Sequence, residues 1–315
     1  MTYAVTAPAM ENAFSYTNHE VFAREVEARS GARIAVTFLP GGQLGGVEST
    51  INQVRDGVIQ ANDPSDVSLA PIFPEIQVLS LPYAFTSRDV AWRVLDGPFG
   101  QKLADLAAEK TGLRPLAWFE NGGFRNFTSA DKEMKTVDDL AGLKMRVPPT
   151  PMYLTIVESL GMSPTPVPWG ELYTALQTGV ADGQENAIPT FMVPKLYEVQ
   201  KQMIMDGHIY AASAVAVNEE WYQGLPDDLK AVINQAANVA KWTNRGLAVS
   251  NEMAGRNYLE GIGVNINDVT AAEKERFRAL AQPAARRWLE GEIGSELIND
   301  MQAAIATAEE ELGYR

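Results

Sequence analysis

The arginine in GLKMRVP, Arg146, is the first residue of this chain whose placement asks for a chemical reason. Leu143, Met145 and Val147 alternate as strand residues do, and Pro148 closes the run, so the spacing predicts a strand with Arg146 near its carboxyl end. In open α/β sheets, ligands sit beyond the carboxyl ends of the strands. A helix is predicted to start just beyond, with Thr150 as N-cap and Pro151 in the first turn, and its free N–H groups point at the same region. A guanidinium beside a helix N-terminus is an anion receptor, and its planar fork pairs a carboxylate through two hydrogen bonds, which a lysine cannot do. An unpaired buried guanidinium is costly, so Arg146 needs either a ligand anion or an Asp or Glu of its own chain.

Neighbouring segments supply further polar and aromatic candidates. Trp169 follows the three prolines of PTPVPW, a stiff approach suited either to an aromatic wall over a cleft or to core packing. Asn186, ending VADGQEN, can donate and accept at once. Arg125 in ENGGFRNFT follows a glycine pair that serves either as a bend between lobes or as a plain turn.

Other chemistries have little to draw on. Cysteine is absent, which removes disulfides, thiolate metal sites and thiol nucleophiles together. His19 and His208 are the only imidazoles and lie far apart, so a histidine metal site or a Ser-His-Asp triad is not expected, and each histidine reads first as a structural residue. GGQLGG lacks the spacing of a dinucleotide-binding loop. The net charge of −14 argues against nucleic acid as a partner and requires any anion site to be local. An acid-base enzyme would have to use Glu185, Asp182 or Glu11, and nothing in their spacing shows the paired carboxylates such chemistry needs.

The elements that must position these residues alternate between helical and strand patterns, the signature of an α/β protein. The early chain reads as a strand Tyr3–Thr6, a helix Thr17–Ser30 with Val21, Phe22, Val26 and Ala28 inward, the strand IAVTFLP, the helix VESTINQVRDG and the strand VIQAND. Met152, Ile156, Val157 and Leu160 make one face of the helix after Arg146, and PTPVP, ELYTALQTG and VADGQEN follow as strand, helix and strand. INQVRDGVIQAND and LYTALQTGVADGQEN share one grammar: a short helix, a closing glycine, a valine opening a strand and polar residues at its finish. That is expected of two lobes built alike, though two unrelated strand-helix units would also match. A long helix runs from Pro226 to Gly261, and the acidic tail from Asn299 predicts an amphipathic surface helix. With 315 residues the chain is long enough for two cores; no apolar run is long enough to cross a bilayer, and MTYAVTAPAM shows no secretion signal.

GLKMRVP, LGMSPTPVPWGELYTALQTGVADGQENAI, KLYEVQK, GHIY, GGQLGG and FPEIQVLSLPYAF together resemble the solute-binding proteins of tripartite ATP-independent periplasmic (TRAP) transporters, the DctP type, over nearly the whole chain. The resemblance implies a two-lobe periplasmic-binding-protein-like α/β fold with hinge strands and a long helix in the C-terminal half that spans the lobes. It places lobe I at 1–124 plus about 213–250 and lobe II at 125–212 plus about 251–315, with the ligand cleft between them. It also implies a non-enzymatic periplasmic receptor that closes over a small organic acid and delivers it to membrane permease subunits, without being membrane-inserted itself. No cofactor or metal is expected. Carried over residue by residue, Arg146 matches the arginine that grips the ligand carboxylate and Arg125 a second basic residue near the hinge. Trp169 stands where the family places an aromatic, often Phe, and Asn186 matches the asparagine of the QEN segment. Tyr210, closing GHIY, joins this set. Asp63, Ser65, Asp66 and Ser68 lie where relatives vary their ligand-reading groups, and Glu11 lies in a loop that faces the cleft in relatives. Acids opposite Arg146 would select a zwitterion, such as ectoine or an amino-sugar acid, unless they are merely solvated. A ligand sensor for a signalling partner is the alternative role.

Overall fold

Short strands and amphipathic helices alternate along the computed structural model, which describes residues 1–314. The strands are β1 (Thr2–Ala4), β2 (Thr37–Leu39), β3 (Ala61–Asn62), β4 (Leu113–Ser129), β5 (Lys144–Val147), β6 (Ser163–Pro166), β7 (Gly183–Asn186), β8 (Gln202–Asn218) and β9 (Asn265–Asp268). The chain folds into two compact units. The first comprises Met1–Phe73, Trp92–Asn121 and Ala212–Ser250; the second comprises Pro74–Ala91, Gly122–Ala211 and Asn251–Arg315. The predicted bounds ran unbroken from 1 to 124, whereas Pro74–Ala91 packs with the second unit.

In the first unit β1 pairs in parallel with β2 and β3, and β3 meets the last part of β8 antiparallel, Ala61 opposite Val217. Tyr3, Phe22, Val26, Phe119, Val215 and Ile233 form its core. The helix predicted at Thr17–Ser30 spans Thr17–Arg29; Phe22 and Val26 are buried as expected, together with Asn18, His19 and Ala23, while Ala28 is exposed because it lies off that helical stripe. The expected strands Tyr3–Thr6, IAVTFLP and VIQAND shrink to three residues or fewer each, since only those residues find ladder partners.

In the second unit β5 lies between β6 and β7, parallel to both, β7 pairs antiparallel with Asn126–Ser129 of β4, and β9 runs parallel beside β8. The helix Pro151–Ser159 packs across the helix Ala271–Ile293, whose cap Thr270 accepts a hydrogen bond from the Glu273 N–H. The two copies of the predicted repeat fall in different units, and their helices end alike: Gly57 and Gly179 have φ 72° and 73°, the left-handed conformation that glycine adopts without a Cβ penalty. β4 and β8 each pass from one unit to the other, as does the helix Asp227–Gly261. Gly122 stands at the crossing in β4 with φ 89°, and a Cβ there would come within 2.6 Å of the Thr190 hydroxyl. The glycine pair is therefore a built part of the strand and not a surface turn.

Candidate ligand site

Arg146 lies in β5 and is 2% exposed. Its Nε and Nη2 both donate to the Val167 carbonyl, at 2.9 and 2.6 Å. Among the described residues no carboxylate pairs with it. Of the two partners the sequence left open, the internal acid is absent, and a backbone oxygen holds only one edge of the fork. Burial brings the Arg146 pKa down to about 10, against the pull of Glu185. Val167 follows β6, and two residues on Trp169 opens a one-turn helix, 46% exposed. Core packing does not account for that indole. Arg146 thus anchors the turn that carries it.

Arg125 lies in β4, also buried, and its fork is taken. Nε and Nη2 grip the two carboxylate oxygens of Glu185, Nη2 also reaches the Glu185 carbonyl at 2.9 Å, and the guanidinium sits 5.4 Å from the centre of the Tyr153 ring. His208 Nε2 lies 3.2 Å from Glu185 Oε2, the oxygen that also accepts from Arg125 Nε, and His208 Nδ1 lies 2.8 Å from Asp206. Burial alone would push the Glu185 carboxyl up, but Arg125 and then His208 overcome it and bring it down to about 2. Burial alone would push His208 down, but Asp206 and then Glu185 raise it to about 8. Glu185 is therefore held as a carboxylate, the opposite of what a general acid needs.

Asn186 ends β7 opposite Asn126; it is buried, and its Nδ2 donates to Gln184 Oε1 at 2.6 Å. Tyr210 is buried with its ring edge-on to Phe85 and Phe124. The second unit thus holds five of the predicted site residues: Arg146, Arg125, Trp169, Asn186 and Tyr210. Asp206, Tyr83 and Tyr153 bind into the same network and were missed; nothing in the sequence singles out Tyr83 or Tyr153. The i, i+2 spacing of Asp206 and His208 in MDGHIY was the available clue.

Glu11 and Asp66 belong to the first unit. Glu11 is exposed in the turn after β1. Asp66 is buried at the start of the helix Asp66–Leu69, and its Oδ1 accepts the Val67 N–H at 2.8 Å. Nearby, both oxygens of Asp63 accept from the Thr6 N–H at 3.3 and 3.4 Å. His19 Nδ1 bonds the Tyr3 hydroxyl, and its Nε2 is 4.0 Å from Asp63, too far for a hydrogen bond. Burial pushes His19 down to about 3 and Asp63 up to about 7, so the two face each other uncharged and not as an ion pair.

The fold is that of a two-lobe solute-binding protein. It matches the sugar acid binding protein DctPAm from Advenella mimigardefordensis, in complex with galactonate, with a TM-score of 0.90 and 31% identity over 98% of each chain. A TRAP periplasmic solute binding protein from Roseobacter denitrificans with bound β-D-glucuronate matches with a TM-score of 0.89 and 29% identity over 96% of this chain and 98% of that one. The chain belongs to the bacterial extracellular solute-binding proteins, family 7 (DctP), whose family model matches residues 6–292, and so to the solute receptors of TRAP transporters. A solute-binding protein from Chromohalobacter salexigens is 32% identical over 90% of this chain and 84% of its own length. Among the described residues no helix is long and apolar enough to cross a membrane.

Proposed function

We propose that this receptor works in the periplasm without turnover, taking up a small carboxylate-bearing hydroxy acid of the sugar-acid class and passing it to its membrane permease. The observation that carries the ligand class is Arg146: a guanidinium 2% exposed, bound on one edge by the Val167 carbonyl and matched by no carboxylate among the described residues. A ligand carboxylate is the partner that offsets its desolvation. Trp169, exposed on the turn that Arg146 holds, supplies an apolar wall, and Asn186 an amide for a hydroxyl. Galactonate and glucuronate, the ligands of two structural relatives, support this class. Glu11 and Asp66 are proposed to read hydroxyl or amine groups, and the two lobes to close on the bound solute, which stabilises the closed form by its contacts there.

A thermal-shift screen with galactonate, glucuronate, C4-dicarboxylates, sialic acid and ectoine tests the proposal. A ligand at a hundred times its Kd adds about 2.7 kcal/mol. Arg146→Ala should abolish the shift, and Arg146→Lys should keep only part of it. Parental affinity in Arg146→Ala would refute the carboxylate grip. A response to ectoine alone would move the ligand class to zwitterions.

A further inference from the structure

The polar chain behind Arg125 continues past Glu185. His208 lies between two carboxylates, 3.2 Å from Glu185 and 2.8 Å from Asp206, with its ring stacked on Phe127 at 4.1 Å and 16°. A neutral imidazole has one N–H and satisfies one acid; only the imidazolium donates to both. Asp206 is itself fixed: its Oδ2 accepts the Tyr83 hydroxyl at 2.9 Å and its Oδ1 accepts the Phe127 N–H at 3.3 Å. Tyr83 is anchored in turn, its N–H donating to the His208 carbonyl at 2.7 Å. Its backbone sits at φ 56°, a conformation rare outside glycine and held here by those two bonds.

We propose that Asp206 and Tyr83 are positioning residues for the acid site: they hold His208 as an imidazolium, which locks the Glu185 carboxylate, which aims the Arg125 guanidinium. The proposal rests on the reading of Arg146 as the acid's anchor and extends that site to Arg125, whose charge lies near enough to lower the Arg146 pKa. Aligned in order, Tyr83, Asp206, His208, Glu185 and Arg125 form one chain of hydrogen bonds inside the second unit. Asp206 and His208 come from β8, Glu185 from β7 and Arg125 from β4. The other charged or titratable groups facing this chain are Arg146 from β5, Tyr153 from the helix Pro151–Ser159 and Lys274, whose Nζ lies 5.8 Å from the Phe124 ring. None of these can replace Asp206, because none offers an acceptor to His208 Nδ1. Loss of the His208 proton turns a lone pair toward one of the two acids, and the Glu185 fork loses its second support. Acid binding therefore weakens as the pH rises through about 8, where His208 titrates.

The chain has two histidines, so the His208 imidazole can be followed directly by NMR of histidine-labelled protein. In Asp206→Asn the His208 titration should fall by about one and a half units, to the value of a free histidine, and galactonate binding at pH 7.5 should weaken about eightfold as the imidazolium fraction falls. Binding should recover near pH 6, where the imidazolium re-forms. Tyr83→Phe, which removes a single hydroxyl and keeps the fold, should move both readouts the same way by about threefold. Parental affinity at pH 7.5 in both variants would overturn the proposal, as would a loss equal at pH 6 and 7.5, the mark of a purely structural role. If the parent binds no acid in the screen, the acid-site reading fails and the positioning role falls with it. A parent that binds while its His208 titration ignores Asp206 refutes the positioning role alone.

Discussion

The chain's two histidines sit in different units, both fully buried, and their environments send them in opposite directions. His19, in the first unit, is pushed down to about 3; His208, in the second, is raised to about 8. Each has a carboxylate near by. For His19 the acid is 4.0 Å away and spends its oxygens on the Thr6 N–H, so burial wins and the pair stays neutral. For His208 two acids lie within hydrogen-bond distance, one held by Arg125 and the other by Tyr83, and their attraction outweighs the same burial. Burial alone does not decide a buried histidine's charge; the hydrogen-bonded acid does.

The two arrangements also differ in how folding takes up protons. Between about pH 4 and 6.5 the unfolded chain carries a charged histidine and a charged aspartate at positions 19 and 63. The folded first unit holds the proton on Asp63 instead, so the total is unchanged and the pair is nearly silent to pH. In the second unit His208 has a raised pKa, so its contribution is complete below about 6.5 and is lost as the pH rises through about 8. Glu185 has a depressed pKa, so its contribution is present above about 4.5 and is lost as the pH falls toward about 2.

The sharpest way to break this contrast is Glu185→Gln. It strips the acid from a buried arginine and a buried histidine at once, and should cost about 3–5 kcal/mol in urea unfolding at neutral pH. Its His208 titration should fall toward that of His19; an unmoved titration would show that Asp206 alone holds the charge. Arg146→Ala comes next for binding, as above. Asp63→Asn should convert the silent pair into an acid-sensitive one. With no aspartate to take the proton, folding stability should fall as the pH drops from about 6.5 toward 3, by about 1.4 kcal/mol per pH unit for the one proton. A flat profile in that variant would mean that His19 is charged in the folded protein. The smallest effect on stability belongs to Trp169→Ala: its side chain is 46% exposed, so the change should stay within about 0.5 kcal/mol while sugar-acid affinity drops. A large loss of stability would return that indole to the core.

The comparison also marks what could be read before the fold was known. The β5 strand, the helix after it and the repeated helix-glycine-strand unit were legible, because they rest on local periodicity and on residues with one strong conformational preference. The edge strands were overdrawn: Val58 fits a strand pattern by type, but its N–H turns back to the Gln53 carbonyl, and the strand itself is confined to Ala61 and Asn62. Arg146 was legible as a residue in need of a partner. That Arg125 finds its partner in Glu185, 60 positions away, and Arg146 finds no carboxylate among the described residues was not.

Residue type and spacing determined the α/β alternation, the absence of thiol chemistry and the arginine at a strand end. The tertiary structure alone decided which charges are matched. Hydrogen bonding acts over about 3 Å, and only folding brings β4, β7, β8 and the Pro74–Ala91 segment within that distance. The same two residue types, histidine and carboxylic acid, become a neutral pair in one unit and an ion chain in the other because about 1 Å of separation separates a contact from a bond.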